Sequence, residues 1–201
     1  MIDFHLSLHG LAIRRASGPE EVANLMGLSP ELVREHLESA AESGRAVRNG
    51  DKYMLTPPAE MALRMEYSRF YDDLRKNDGM IKAYEQFEKI NSELKRLITD
   101  WQTMEVGGER VVNDHSNKDY DEKIIDQLGD IHERYEPILE RMAKHQPRLA
   151  VYGDLLLNAL EQAEDGEIEW VSDAKLSSYH TVWFEMHEDL LRILGREREE
   201  E

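Results

Sequence analysis

The chain has 201 residues and a mass of 23.4 kDa, which is enough for one medium domain or two small ones with a real hydrophobic core. It contains no cysteine, which excludes disulfides, thiolate metal sites, iron–sulfur clusters and cysteine nucleophiles. Its net charge of -17 argues against a protein that simply coats nucleic acid, because the phosphates would repel it.

The segment 1–58 is predicted to form three helices followed by a β-hairpin. Apolar residues recur at helical spacing from Ile2 to Arg15, and a short second helix begins after the next glycine–proline pair. Ser29 is the predicted N-cap of the third helix, which Gly44 ends. Asn49-Gly50 lies between two extended runs and is a strong hairpin signal.

Three helices and a hairpin in this order resemble a winged helix-turn-helix domain, with residues 29–44 as the recognition helix. The exposed positions predicted for that helix carry four acids and one arginine, a poor match to a polyanion. A winged helix used for protein contact is therefore an alternative to DNA binding. If the domain binds DNA, the candidate contacts are Arg14, Arg15, Ser29, Arg34, Arg45, Arg48 and Lys52.

The segment 59–201 is predicted to form an antiparallel α-helical bundle with an acidic C-terminal tail, so that the fold class is mainly α. Most of the negative charge lies here, since residues 67–201 carry 32 acidic and 18 basic side chains. Gly107-Gly108 is interpreted as a loop, Pro137 as a kink and Gly195 as a helix stop. The predicted helices cover residues 59–74, 81–104, 119–145, 147–163 and 177–194.

Aromatic and polar residues of the predicted bundle could line a ligand pocket between its helices. The candidates are Trp101, Asp114, His115, Tyr179, His180, Trp183 and His187. The alternatives are structural: aromatic residues form cores, and residues 113–117 form a turn and cap the next helix. Two histidines seven residues apart lie about 10.5 Å apart along a helix, too far to share one metal ion easily.

No catalytic residue, metal site or cofactor is predicted. The sequence lacks a phosphate-binding glycine loop, a dinucleotide fingerprint and a nucleophile elbow. A small enzyme that uses Asp114, His115, His180 and His187 is the weakest of the hypotheses. No apolar run reaches membrane-spanning length and no secretory signal is recognised, so we expect a cytoplasmic protein.

Short stretches along nearly the whole chain carry a family resemblance. They are Leu8–Arg14 (LHGLAIR), Tyr53–Pro57 (YMLTP), Leu97–Gln102 (LITDWQ), Asn113–Ser116 with Tyr120-Asp121, and Ser178–Leu191 (SYHTVWFEMHEDLL). Together they resemble the C-terminal region of actinobacterial proteins of the pyruvate phosphate dikinase/phosphoenolpyruvate-synthase-like group, and the small free-standing relatives of that region.

The resemblance implies an accessory or regulatory role. In that group, phosphoryl transfer uses an ATP-grasp domain and a histidine in a Gly-Gly-x-x-Ser/Thr-His context. Gly107-Gly108 is followed by Glu109-Arg110, so that context is absent and neither His180 nor His187 is assigned as a phosphocarrier. We therefore expect a non-enzymatic subunit that docks on a larger phosphotransferase-like protein. The alternative is a ligand-responsive winged-helix transcriptional regulator that binds DNA as a homodimer.

Overall fold

A computed structural model describes residues 2–197, which are mainly helical and include two small antiparallel two-stranded sheets. The last four residues of the predicted acidic tail lie outside the described part. The helices are α1 (Ile2–Arg14), α2 (Pro19–Met26), α3 (Pro30–Glu42), α4 (Pro57–Arg75), α5 (Asp78–Gln102), α6 (Lys118–His145), α7 (Val151–Glu164) and α8 (Tyr179–Leu194). The strands are β1 (Ala46–Asn49), β2 (Lys52–Leu55), β3 (Thr103–Val106) and β4 (Glu109–Val112).

The chain divides into two compact units. The first consists of Met1–Lys76 together with His187–Glu201, and the second of Asn77–Met186. The first unit thus contains the segment 1–58, helix α4 and the end of α8. The predicted division of the sequence at residue 58 stays a prediction.

Local signals in the first unit fix the ends of its elements. The Ser29 hydroxyl accepts a hydrogen bond from the Leu32 N–H at 3.3 Å, which confirms the predicted N-cap of α3. The hairpin predicted at Asn49-Gly50 is confirmed, but its turn lies one residue later, at Gly50-Asp51, because Asn49 ends β1 and pairs with Lys52; Gly50 has a φ of +65°. Ser17 forms an additional antiparallel bridge with Tyr53 of β2, so a third short segment joins this hairpin.

Gly10 permits a close approach between α1 and α2, since a Cβ at this position would lie 2.9 Å from side-chain carbons of Val22 and Met26. We expect Gly10→Ala to lower the free energy of unfolding by about 1–3 kcal/mol through overpacking. Gly129 in α6 is the matched control, because its added Cβ would meet only Glu164 Oε1 at 3.6 Å. Gly129→Ala should raise that free energy by about 0.5–1 kcal/mol through helix propensity. Urea denaturation of both variants tests this, and stabilisation by Gly10→Ala would contradict it.

The second unit is built on α5 and α6, which pack along each other, while α7 packs on α6. Asn77 and Asn117 cap α5 and α6 through side-chain oxygens, which confirms the helix cap predicted within residues 113–117. Helix α6 continues through Pro137.

The loop predicted at Gly107-Gly108 is the turn of a second hairpin, β3–β4. Both glycines have positive φ values, 62° and 87°, which suit a tight hairpin turn.

Candidate functional site

The exposed surface of α3 is acidic, as the sequence predicts. Its outward-facing glutamates, named here the acidic face of α3, are Glu31, Glu35, Glu38 and Glu42. Arg34 is the one cation among them, and it forms an ion pair with Glu20 of α2. The face therefore carries a net negative charge, which opposes contact with a phosphate backbone.

The cations around the first hairpin lie beside aromatic rings. The guanidinium of Arg45 lies 5.7 Å from the ring centroid of Phe4, and that of Arg48 lies 5.6 Å from the ring centroid of Tyr53. The Arg48 Nε also donates to the Gly50 carbonyl at 2.9 Å. Lys52 is exposed at the start of β2. These contacts hold the arginines along the hairpin and leave their positive charge at the surface.

Arg14 is the last residue of α1, and Arg15 follows the helix directly. Arg14 is half-buried, while Arg15 is exposed and has a φ of +65°, an unusual backbone conformation for a residue with a Cβ. Ser29 is occupied as the cap of α3. Of the seven DNA-contact candidates, Ser29 is a helix cap and Arg34 is ion-paired on α3. The other five are cations at the end of α1 and around the hairpin: Arg14, Arg15, Arg45, Arg48 and Lys52.

A polar network surrounds His115 in the second unit. The Asn113 amide nitrogen donates to the Trp101 carbonyl at 3.0 Å and to Asp121 Oδ1 at 2.8 Å. The His115 Nδ1 lies 3.1 Å from Asp121 Oδ2, and its ring centroid lies 4.5 Å from that of Trp101. The left-handed backbone of His115, with a φ of +58°, is supported by an Asn113 side-chain oxygen that accepts its N–H.

This network borders a cavity of about 430 Å³, a size typical of small-molecule sites. Apart from His115 and Lys118, its charged lining is acidic: Asp121, Glu122, Asp126 and Glu164. The excess of carboxylates favours a cationic or hydrogen-bond-donating occupant over an anion. Of the predicted pocket residues, His115 lines this cavity, and Trp101 packs against His115 without lining it.

Tyr179 and Trp183 belong to a buried aromatic cluster in the second unit. Their rings stack at 6.1 Å, and Trp183 also packs on Phe87 and Tyr135 at 5.3 and 4.6 Å. The Trp183 indole N–H donates to Asn91 Oδ1 at 3.0 Å. Burial raises the pKa of Tyr179, which keeps its hydroxyl protonated. These contacts make both residues part of the core.

The remaining pocket candidates are dispersed. Asp114 is exposed and accepts a hydrogen bond from the Ser116 N–H at 3.1 Å, which is the predicted turn chemistry. His180 is half-buried in the second unit, where burial lowers its pKa. His187 is buried in the first unit. Within residues 2–197, no group of three or more His, Asp or Glu side chains is arranged to hold a metal ion.

The first unit contains a buried hydrogen-bonded chain that the sequence does not reveal. The His9 Nε2 lies 2.9 Å from Asp189 Oδ1, and its Nδ1 lies 2.6 Å from the Tyr67 hydroxyl. His9 and Asp189 are fully buried. An ionised carboxylate only accepts hydrogen bonds, so a neutral His9 donates through Nε2 and accepts the Tyr67 proton at Nδ1. Burial raises the pKa of Tyr67, which keeps that hydroxyl a donor.

The hydrogen bonds of this Tyr67–His9–Asp189 chain run in the same direction as those of a catalytic triad, but His9 and Asp189 are fully buried and only Tyr67 borders a cavity. A group that activates a nucleophile must reach the substrate. The geometry therefore describes a structural tie between three segments of the first unit. No local sequence pattern indicates it, because His9 and Asp189 are separated by 180 positions.

Comparison with known proteins adds no family assignment. No family model matches the chain, and no curated protein or solved structure shows significant similarity to it. None of the helices formed by residues 2–197 combines the length and the apolar character needed to cross a membrane.

Proposed function

We propose that the chain is a non-enzymatic accessory or regulatory subunit that docks on a larger phosphotransferase-like protein of the ATP- or phosphoenolpyruvate-dependent type. The observation that carries the proposal is the acidic face of α3. In a winged helix the corresponding helix reads DNA, and here it carries four exposed glutamates and an arginine already paired with a glutamate. Such a surface complements a basic protein surface and steers association with it.

The element order of the first unit supports a winged-helix arrangement. Three helices precede the β1–β2 hairpin, and the bridge between Ser17 and Tyr53 supplies the third extended segment usual in such domains. On the hairpin, Val47 lies opposite Met54 in the strand register, and their exposed fractions are 52% and 43%. An apolar pair beside a charged face is typical of a small protein-contact surface. The resemblance to the phosphotransferase group indicates the class of partner.

The test is affinity purification of the tagged chain from its native lysate, with and without nuclease, followed by mass spectrometry. We expect a large ATP-grasp or phosphoenolpyruvate-type polypeptide in stoichiometric amount despite nuclease. Charge reversal at Glu38 and Glu42, both to Lys, should abolish its recovery. The matched control reverses Glu136 and Glu140, an equally spaced exposed pair on α6. Equal loss in both variants, or no such polypeptide, would contradict the proposal.

The second candidate function is a ligand-responsive winged-helix regulator that binds DNA as a dimer. The exposed cations of the hairpin, Arg48 and Lys52, favour it, because a wing grips the phosphate backbone through such residues. Its signature is nuclease-sensitive DNA whose retention falls steeply with salt. Charge reversal at Glu38 and Glu42 would then increase DNA retention, the opposite of the effect expected for protein docking.

A further inference from the structure

A second cavity, in the first unit, is lined by four arginines. It has a volume of about 410 Å³ and lies between α4 and the end of α8. We name it the arginine pocket after Arg64, Arg75, Arg192 and Arg196. Its lining also contains Tyr67, Leu191, Gly195 and the two carboxylates Glu188 and Glu197. Guanidinium groups outnumber carboxylates two to one here, in a chain whose net charge is -17.

Arg192 forms the inner wall of the arginine pocket, where its side chain is only 10% exposed. Its Nε donates to Glu188 at 2.7 Å and its Nη2 to Glu60 at 3.0 Å. Its buried Nη1 makes no hydrogen bond to the rest of the described structure. Tyr67, Glu60 and Glu188 together hold the pKa of Arg192 above its usual value against the opposing effect of burial. The charge of this guanidinium is therefore permanent.

Arg75 is fixed by the backbone at the end of α8. Its Nε donates to the Ile193 carbonyl at 2.9 Å and its Nη2 to the Arg192 carbonyl at 3.1 Å. Gly195 has a φ of +65°, and a Cβ there would lie 2.9 Å from the Arg75 Cζ. Only glycine both adopts that conformation and leaves space for the guanidinium. Arg75 therefore contributes positive charge whose hydrogen-bond partners are neutral carbonyls.

Arg64 and Arg196 stand at the rim. Arg64 is 69% exposed and lies 3.7 Å from Glu60, a carboxylate that already accepts a hydrogen bond from Arg192. Arg196 is exposed just beyond α8. When Glu60 is counted with Glu188 and Glu197, the four guanidiniums of the pocket face three carboxylates, so one positive charge is left over. Arg75 and Arg192 are fixed by hydrogen bonds, and the exposed side chains of Arg64 and Arg196 can adjust to a ligand. This arrangement suits a tetrahedral oxyanion.

We propose that the arginine pocket binds the phosphoryl group of a small phosphorylated molecule. The volume falls in the range of small-molecule sites, so it accommodates a phosphate monoester with a short organic part. Arg64 and Arg196 would supply bidentate contacts to the phosphoryl oxygens, while Arg75 and Arg192 provide the positive field behind them. This inference rests on the first unit alone and is independent of whether the acidic face of α3 contacts a protein or DNA.

The test is isothermal titration calorimetry of the whole chain with glycerol 3-phosphate, inorganic phosphate and glycerol. We expect saturable binding of glycerol 3-phosphate, weaker binding of inorganic phosphate and none of glycerol. The double variant Arg64→Gln/Arg196→Gln should weaken glycerol 3-phosphate binding at least about tenfold, since each lost charge-assisted hydrogen bond costs that much. Both positions are exposed, so the fold should persist, which circular dichroism checks.

The matched control removes two exposed arginines of the second unit, Arg96→Gln/Arg134→Gln. It should leave glycerol 3-phosphate binding unchanged. If the control weakens binding as much as the rim variant, the effect is one of general charge and the assignment of the site is wrong. Absence of binding at millimolar ligand and low salt would overturn the proposal, as would equal affinity for glycerol.

Discussion

Asp189→Ala is expected to lower the free energy of unfolding by about 1.5–3 kcal/mol, the usual cost of removing a buried hydrogen bond to a charged acceptor. The carboxylate accepts from His9 Nε2 at 2.9 Å, and both side chains are fully buried. Without it, the buried imidazole N–H loses this acceptor at a position that water does not reach. The effect is measurable as a shift of the urea midpoint at constant slope.

Two control variants separate the hydrogen bond from the loss of an acid. Asp189→Asn retains an oxygen that can accept from His9, so its loss of stability should be smaller than that of Asp189→Ala. Asp126→Ala removes an exposed acid in the middle of α6 and should change stability by no more than about 0.5 kcal/mol. The structural tie is refuted if Asp189→Ala behaves like Asp126→Ala.

Trp183→Ala should cost about 3–5 kcal/mol of unfolding free energy, because it removes the largest side chain of the aromatic cluster. Trp183 is 3% exposed and packs against Phe87, Tyr135 and Tyr179. The void left behind cannot be filled by small rearrangements, since three ring faces lose their neighbour. Far-UV circular dichroism during urea denaturation measures the change without relying on tryptophan emission.

Trp183→Phe separates packing from hydrogen bonding in the same cluster. A phenyl ring keeps most of the contact area but leaves the buried oxygen of Asn91 without the indole donor, at a cost of about 1–3 kcal/mol. Trp170→Ala is the matched control, because Trp170 is half-buried outside the cluster and its loss should cost less. A larger loss for Trp170→Ala than for Trp183→Ala would contradict the role given to the cluster.

Elements with local signals were predictable from the sequence. The Ser29 cap, the Asn49-Gly50 hairpin and the stop at Gly195 depend on residues within a few positions of one another, and the structure confirms all three. The sequence predicts a helix to residue 104 followed by a loop, where the structure has the β3–β4 hairpin. The helical apolar spacing runs on to Met104, beyond the end of α5 at Gln102. Tertiary context, not local spacing, decides where such a helix stops.

The candidate sites were only partly predictable, for a physical reason. Trp101 and His115 lie 14 positions apart and meet because a hairpin returns the chain between them. The arginine pocket joins α4 to the end of α8, and no periodicity along the chain relates those two segments. Side chains on distant segments form a common site only when the chain packs. The contacts between such segments cannot be predicted from the local patterns of a single sequence.

The separation of His9 from Asp189 also means that the two residues are synthesised at different times during translation. At about 5–20 residues per second, a ribosome needs roughly 10–40 seconds to add the partner that His9 requires. The second unit is continuous in sequence, so every one of its residues has been added before the first unit receives its last segment. Throughout that interval the residues of α1 and α4 are already synthesised, while Asp189, the hydrogen-bond acceptor of His9, is still absent. Translation speed and chaperone access therefore bear on the N-terminal end of this chain more than on its middle.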